Sequence, residues 1–462
     1  MSHTLTVAPL PDSRPLDMGF TYGSTLIAVG LLTGALVAYG GWTCALALVS
    51  LALILRWPVQ VTVGALAFLV PFDDLTAIGA ETNGPSLTRY VGALAIMVLL
   101  CLGLISRRLS LPSRTATWWS LFVFWGALSL GWALDPESVW LRLPTALSLL
   151  ALYLVTSSFR FTAKELSVII WSTVVGGCAA ALLASADFFR GTYFFGTTRS
   201  SVMLGQRATD PNVFAACLLL PISLSIGALV KARRRSVQTG LLLIIVLLGL
   251  AQLLTMSRGG LLALLTIVSA YIYRLKANRR RLLLVACGVS LLLLYMPHSF
   301  YERLSAADRG AGRLDIWIAG FQLVARHGLV GAGLGNFATA YNSVAGSAPN
   351  FQGYNRVSHS IYLGTTVELG IVGLILLVLA FRAQLRDTSR HSLVPYHAAC
   401  WGMMVMGLTL DVVWEKNSWW CWILTAMAVH AQADNVSAVE VSPSHSPGRR
   451  RRALAPTPWR VP

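Results

Sequence analysis

His359 stands between Ser358 and Ser360, directly ahead of an apolar run that opens Ile361-Tyr362-Leu363. An imidazole at the boundary between a polar cavity and a helix can take a proton near neutral pH, because its unperturbed pKa is about 6.5. A lone histidine also serves structural roles, so its surroundings carry the argument. Two carboxylates lie within apolar runs: Glu368, nine residues on, and Asp411 in the following run. Carboxylates are costly in hydrocarbon and face a cavity or a partner. Either could orient the imidazole or hold cations beside it.

Two arginines sit at the mouths of apolar runs. In Gly205-Gln206-Arg207-Ala208-Thr209-Asp210-Pro211-Asn212, Asp210 is an N-cap candidate and Pro211 suits a first helical turn, so a helix starts there with Arg207 above its positive end. In Thr255-Met256-Ser257-Arg258-Gly259-Gly260 the glycine pair predicts a tight turn between two apolar runs, leaving Arg258 at the boundary. A helix N-terminus with forked cations makes a site for an oxyanion or pyrophosphate. The plain alternative for Ser-Arg-Gly-Gly is a hairpin turn with a snorkelling arginine.

These residues need spans to position them, and the composition supplies them. Of 462 residues 55% are hydrophobic and 12% charged, and the mean hydropathy is +0.65. An ordinary soluble domain carries roughly 25% charged residues. The balance excludes a water-soluble enzyme, a disordered scaffold and a disulfide-rich secreted module. Since a span takes about 20 apolar residues, the fold class is an all-α polytopic membrane protein. Apolar runs bounded by charge occur near 22–40, 42–55, 58–71, 90–105, 118–134, 139–156, 166–186, 211–230, 239–256, 260–273, 282–296, 360–380, 396–413 and 418–431. Several are short, giving 12–14 transmembrane helices, with an even number the firmer expectation.

The net charge of +17 does not point to nucleic acid, because the basic residues form small clusters between runs. Most Lys and Arg, including Arg107, Arg108, Arg233 to Arg235, Arg279 to Arg281 and the tail's Arg449 to Arg452, fall on one side, which the positive-inside rule makes cytoplasmic with both termini. The expected organisation is a cytoplasmic N-terminal tail (1–20), transmembrane helices (21–296), a long periplasmic loop (297–358), C-terminal transmembrane helices (359–431) and a disordered cytoplasmic tail (432–462). Arg142 starts a span. The basic residues left for the outer side are Arg89, Arg190, Arg199, Arg207, Arg258, Arg303, Arg309, Arg313, Arg326, Arg356 and Lys416, all but one arginine. Arginine's planar fork matches phosphate oxygens two at a time, so the outer face reads as built for a phosphorylated anion. The other reading pairs each with a loop carboxylate or a lipid head group.

Within the long loop, Leu314, Trp317, Ile318, Phe321 and Val324 recur at helical spacing and predict an amphipathic helix lying on the bilayer or capping a cavity. Gly331-Ala332-Gly333-Leu334-Gly335-Asn336-Phe337 has no strand before it, so it reads as a close-packing turn and not a nucleotide loop. All seven cysteines fall in apolar stretches without a CxxC pair or a nearby His, so neither a disulfide nor a metal is expected.

In their order, Arg207 with Asp210-Pro211-Asn212, Ser257-Arg258-Gly259, Gly312-Arg313-Leu314-Asp315-Ile316-Trp317, the glycine-rich turn, and His359-Ser360-Ile361-Tyr362-Leu363 with Glu368-Leu369-Gly370 resemble the O-antigen ligase and polysaccharide polymerase superfamily. The likeness is strong over about 195–380 and rests on topology elsewhere. It implies a C-type glycosyltransferase-like fold in the bacterial inner membrane, taking a glycan from undecaprenyl diphosphate on the periplasmic side. It implies His359 as the base that activates an acceptor hydroxyl, Arg207 and Arg258 as diphosphate ligands, Arg313 and Arg356 as further diphosphate candidates, and no metal or other cofactor. Glu368 and Asp411 stay as supporting residues. The acceptor is the lipid A core in a ligase or a growing glycan in an O-antigen or exopolysaccharide polymerase, which share the chemistry. A transporter of lipid-linked oligosaccharide is the reading from another class; the unmatched loop 297–358 argues against the repeated halves common in transporters.

Overall fold

The computed structural model describes residues 42–76, 86–205, 207–275, 312–347, 350 and 352–440. The chain divides into two compact units, residues 1–61 and 62–462. The described part of the first holds α1 (Trp42–Arg56) and the start of α2 (Pro58–Leu69). In the second follow α3 (Leu87–Ile105), α4 (Arg114–Leu128), α5 (Pro136–Ser158), α6 (Ala163–Phe189), a two-stranded hairpin of β1 (Met203–Leu204) and β2 (Arg207–Ala208), α7 (Pro211–Lys231), α8 (Arg235–Leu254) and α9 (Arg258–Arg274). The remainder comprises α10 (Arg313–His327), α11 (Phe337–Asn342), α12 (Ile361–Arg390), α13 (Val394–Met406) and α14 (Lys416–Glu440).

Among the described residues six helices are long and apolar enough to cross a membrane: α3, α5, α6, α7, α8 and α12. The chain is an all-α multi-pass membrane protein. The shorter apolar runs form shorter helices of 12 to 17 residues, namely α1, α2, α4, α9 and α13. The runs at 22–40 and 282–296, Arg303, Arg309 and the basic tail lie outside the described residues. Two boundaries differ from expectation. Helix α14 continues to Glu440, beyond residue 432 where the tail was expected, because no Gly or Pro interrupts the chain until Pro443. Helix α13 stops at Met406, so Asp411 lies in an irregular segment and not within a span.

Local chemistry explains the helix starts. Asp210 accepts the backbone N–H of Asn212 at 2.7 Å and Pro211 occupies the first turn of α7. Thr162 and Glu165 form a capping box on α6. Glu165 also receives the Arg108 guanidinium at 3.0 and 2.5 Å, while that fork lies 4.4 Å over the Phe159 ring. Helix α7 is the innermost span, with 83% of its apolar window buried against 28% for α3. Its internal Pro221 fits because Gly177 of α6 leaves the room: a Cβ there would lie 2.7 Å from Pro221 Cγ. Trp119 of α4, Tyr153 of α5, Phe381 of α12 and Trp419 and Trp422 of α14 share one aromatic cluster, with Trp119 and Trp419 5.0 Å apart.

Helix α12 is broken at Gly370, whose φ is 67°. The glycine-rich turn enters that break. Gly333 N donates to Glu368 O, Ala332 N to Val367 O and Ile371 N to Gly328 O, each at 2.8 Å. From the other side the α4–α5 connection closes on the turn: Leu334 N donates to Ser129 Oγ at 2.9 Å, Leu134 N to Ala332 O at 2.8 Å, and Asn336 exchanges two bonds with the Asp135 backbone at 2.7 and 3.0 Å. A Cβ on Gly331, at φ 84°, would overlap the Glu368 carbonyl.

Gly331→Ala therefore adds a backbone overlap to the left-handed strain. We expect it to destabilise by about 2–5 kcal/mol, the sum of roughly 1–2 for the conformation and 1–3 for overpacking. Gly196→Ala, also at positive φ but with nothing within 4 Å, should cost only the first part. Thermal unfolding of the two purified variants in detergent checks this; equal losses would contradict it.

Candidate functional site

Four helix starts build the site, and a buried arginine fastens two of them together. Arg199, 7% exposed, donates Nε to Thr255 O and Nη2 to Asn212 Oδ1, both at 2.8 Å. Ser257 Oγ donates to the same Asn212 oxygen at 2.9 Å and accepts Gly260 N at 3.2 Å as the N-cap of α9. The starts of α7 and α9 are thus adjacent, which sets Arg258 on the first residue of α9 and Arg207 on β2, three residues ahead of the α7 cap. The tight turn expected at Gly259-Gly260 falls instead at Thr255-Met256, with Met256 at φ 51°. The glycines belong to the first turn of α9, where Gly259 lies against Thr409 and Met406, and Gly260 against Gln252 and Ala215.

The segment after α13 carries this corner across to α12. Gly407 O accepts Ile361 N at 2.8 Å. Ser360 caps α12, and His359 precedes it at φ 48°, a left-handed conformation that histidine adopts more readily than most residues and that still costs about 1–3 kcal/mol. Neighbouring bonds hold the strain: buried Ser358 donates its hydroxyl to Asp411 Oδ2 at 2.7 Å and accepts Ser360 N at 3.2 Å, and its carbonyl accepts Trp317 Nε1 at 3.0 Å. Gly364 leaves room for this pair, since a Cβ there would stand 2.6 Å from both Asp411 Oδ2 and Ser358 Oγ.

The expected amphipathic helix is α10. It buries Ile316, Ala319 and Leu323 against Leu363 and Val367 of α12, while Leu314 and Phe321 from the predicted stripe are exposed. Its N-terminal Asp315, 1% exposed, accepts Asn350 Nδ2 and Gln352 Nε2 at 3.3 Å, which folds the later loop, ahead of α12, back over the start of α10. Arg356 Nε donates to Gln352 O. Arg313, first residue of α10, and Arg356 consequently flank the imidazole closely enough to act on its charge, as does Asp210 from the start of α7.

The two carboxylates divide. Asp411 holds Ser358 behind the histidine. Glu368, more than two turns into α12, accepts Gly335 N at 3.0 Å and Phe337 N at 3.2 Å, so it fastens the glycine-rich turn. Two participants were missed in the sequence. Asp210 was read only as a cap, and its charge toward His359 was not legible from spacing. Arg142 was set aside as a span start; its side chain packs on Gly335, and its charge favours the ionised form of Glu415. Its mid-helix position carries no local signal of either contact.

Burial first, and the Arg313 guanidinium next, push the His359 pKa down to about 4, with Arg356 adding to the drop and Asp210 opposing it. The imidazole is therefore neutral and proton-accepting at neutral pH. Among the described residues no three His, Cys, Asp or Glu side chains gather as a metal site would require.

Residues 242–378 match the family described as O-Antigen ligase. The matched stretch contains Arg258, Arg313, Arg356, His359 and Glu368, and leaves Arg207 and Asp411 outside. It supports a ligase- or polymerase-like function in general terms. No curated protein matches the chain.

The folded pKa of His359 lies below the unfolded value of about 6.5, so between the two the unfolded chain binds the extra proton. Its contribution to stability is complete above pH 6.5 and is lost as pH falls toward 4. Arg313→Gln removes a like charge, so the imidazole pKa should rise toward 6.5. Titration of isotope-labelled histidine by NMR checks the shift; an unchanged or lower value would contradict the placement of Arg313.

Proposed function

We propose that the chain, carrying an O-antigen ligase match over its centre, moves a glycan from undecaprenyl diphosphate to a sugar hydroxyl of the lipid A core on the periplasmic face of the bacterial inner membrane, without a metal. The observation that supports this most is the neutral imidazole of His359 ahead of α12 with Arg313, at the start of α10, within electrostatic reach; Arg258 at the start of α9 and Arg207 ahead of α7 would complete the diphosphate pocket. Each helix start adds partial positive charge to that of the arginines.

The chemistry follows from the charges. His359 takes the proton of the acceptor hydroxyl, whose oxygen attacks the anomeric carbon of the donor glycan as the bond to the diphosphate oxygen breaks. The departing diphosphate gains negative charge, and fixed guanidinium forks with helix N–H groups stabilise it where it develops. Asp210 favours the imidazolium formed during the transfer. Near the bilayer the donor's lipid remains in membrane throughout.

Reconstitution tests the proposal, with purified protein, an undecaprenyl-diphosphate glycan, and either core oligosaccharide lipid or a second donor molecule as acceptor, in the presence of a chelator. Transfer to the core is expected; elongation of the second donor would make the chain a polymerase, and no transfer by folded protein would overturn the reading. His359→Ala should lower the rate by about 10²-fold or more with donor binding intact, the usual weight of a general base. Arg258→Lys keeps charge and loses the fork, and a drop of about tenfold is expected. Full activity there would assign Arg258 to topology.

A further inference from the structure

The end of the bundle away from His359 holds a groove that glycan transfer does not use. Helix α7 starts beside the site and ends at Lys231, about 30 Å on at 1.5 Å per residue. There α6, α7 and α13 enclose a half-open groove of about 490 Å3. Lys231, the last residue of α7, Pro395, the second of α13, and Ser167, the fifth of α6, stand at its polar end. Leu224 lies seven residues back along α7, about 10 Å deeper, and Trp171 lies one turn deeper along α6. Hydrogen bonds preform the floor. Ser223 Oγ donates to Pro395 O at 2.6 Å, Tyr271 of α9 donates its hydroxyl to Ser223 O at 2.5 Å, and Gly227 admits Pro395, which a Cβ there would overlap.

This end lacks an anion. Among the described residues Lys231 has no acidic partner, and neither have Arg233, Arg234 and Arg235, which follow it. Helices α7 and α13 carry no acid at all. The two acids of α6 are Glu165, held by Arg108 at 2.5 Å, and Asp187, at the opposite end of that helix. Polar donors add to the cations. Ser167 and Trp171 bring a hydroxyl and an indole N–H to the wall, and Tyr396, 1% exposed, carries a hydroxyl without a hydrogen-bond partner.

We propose that the groove between α6, α7 and α13 binds an anionic phospholipid of the adjoining leaflet, its phosphate on Lys231 and one acyl chain along Ile170, Trp171 and Leu224. Cationic rims between membrane helices recognise anionic head groups in this way. A zwitterionic head group would bring an ammonium among Lys231 and three arginines, with no free carboxylate on the wall helices to receive it. The lipid-linked donor is not the occupant, because its diphosphate belongs with Arg207 and Arg258 at the other end of α7. The site therefore stands or falls independently of the proposed glycan transfer.

Full-length protein in detergent is measured by native mass spectrometry with phosphatidylglycerol and, separately, phosphatidylethanolamine of the same chains. The wild type should bind the first phosphatidylglycerol about tenfold more tightly, the weight of one charge-assisted contact. Lys231→Gln, at an exposed helix end that folding tolerates, should remove that preference, and Lys231→Arg should keep it. Ala228→Phe fills the groove and should weaken both lipids. Arg386→Gln removes an exposed cation of α12 outside the groove and should change neither. Undiminished phosphatidylglycerol binding in Lys231→Gln and Ala228→Phe proteins of wild-type thermal stability overturns the assignment. A loss in Arg386→Gln equal to that in Lys231→Gln also overturns it, since general surface charge would then be the cause, as does a wild type that holds both lipids equally.

Discussion

The backbone around residue 370 must satisfy its own polar groups, and the rest of the site depends on how it does so. Water does not reach hydrocarbon to complete a broken helix, so irregular backbone survives there only when buried in protein or lining a cavity. Gly370 breaks α12, and the glycine-rich turn supplies the missing partners through Gly333, Ala332 and Gly328. The turn follows α10 directly, so that helix is anchored at its C-terminal end beside the break. It then runs back along α12, with Gly320 close against Leu363. Fifteen residues of α10 cover about 22 Å, enough to carry Arg313 past the start of α12 to the level of His359. The reach of the guanidinium is set by a hydrogen-bonded anchor far from it in sequence.

Glu368 belongs to that anchor. Its two carboxylate oxygens accept separate N–H groups of the turn, which removes both a buried charge and two backbone donors from want of partners. The same logic applies at Asp315, whose carboxylate gathers Asn350 and Gln352 and so fixes the chain that carries Arg356. Acidic side chains here fasten the loops, Glu368 through backbone N–H groups and Asp315 through side-chain amides.

How much of this was legible in the sequence follows from the range of each interaction. The start of α7 at Asp210-Pro211 and the helix start after His359 are local signals and stand where spacing put them, and α10 forms where expected but buries Ile316, Ala319 and Leu323 while Leu314 and Phe321 of the expected stripe stay exposed. The glycine-rich stretch read correctly as packing, but its partner at Gly370 did not, because pairing across some forty residues leaves no periodic trace. The turn before α9 was misplaced by four residues: Gly259 and Gly260 look like turn formers, yet they serve close approach to Thr409 and Ala215, and Met256 takes the left-handed conformation. Asp411 was assigned to a span because apolar residues surround it, whereas Gly407 had already ended the helix.

The excess of arginine over lysine on one side of the chain also resolves into separate causes. Arg199 uses its fork on a carbonyl and an amide oxygen, which ties two helix starts together and is a structural use. Arg313 and Arg356 instead stand beside the imidazole, where burial first and their like charge next keep it unprotonated. Arg89 lines an apolar groove between α3, α5 and α14. One preference for a planar fork therefore reflects at least three demands, and counting arginines on a face measures their sum. Arg313 and Arg356 lie within electrostatic reach of His359 and inform the chemistry there, and the reach of Arg313 is set by the anchor at Gly370.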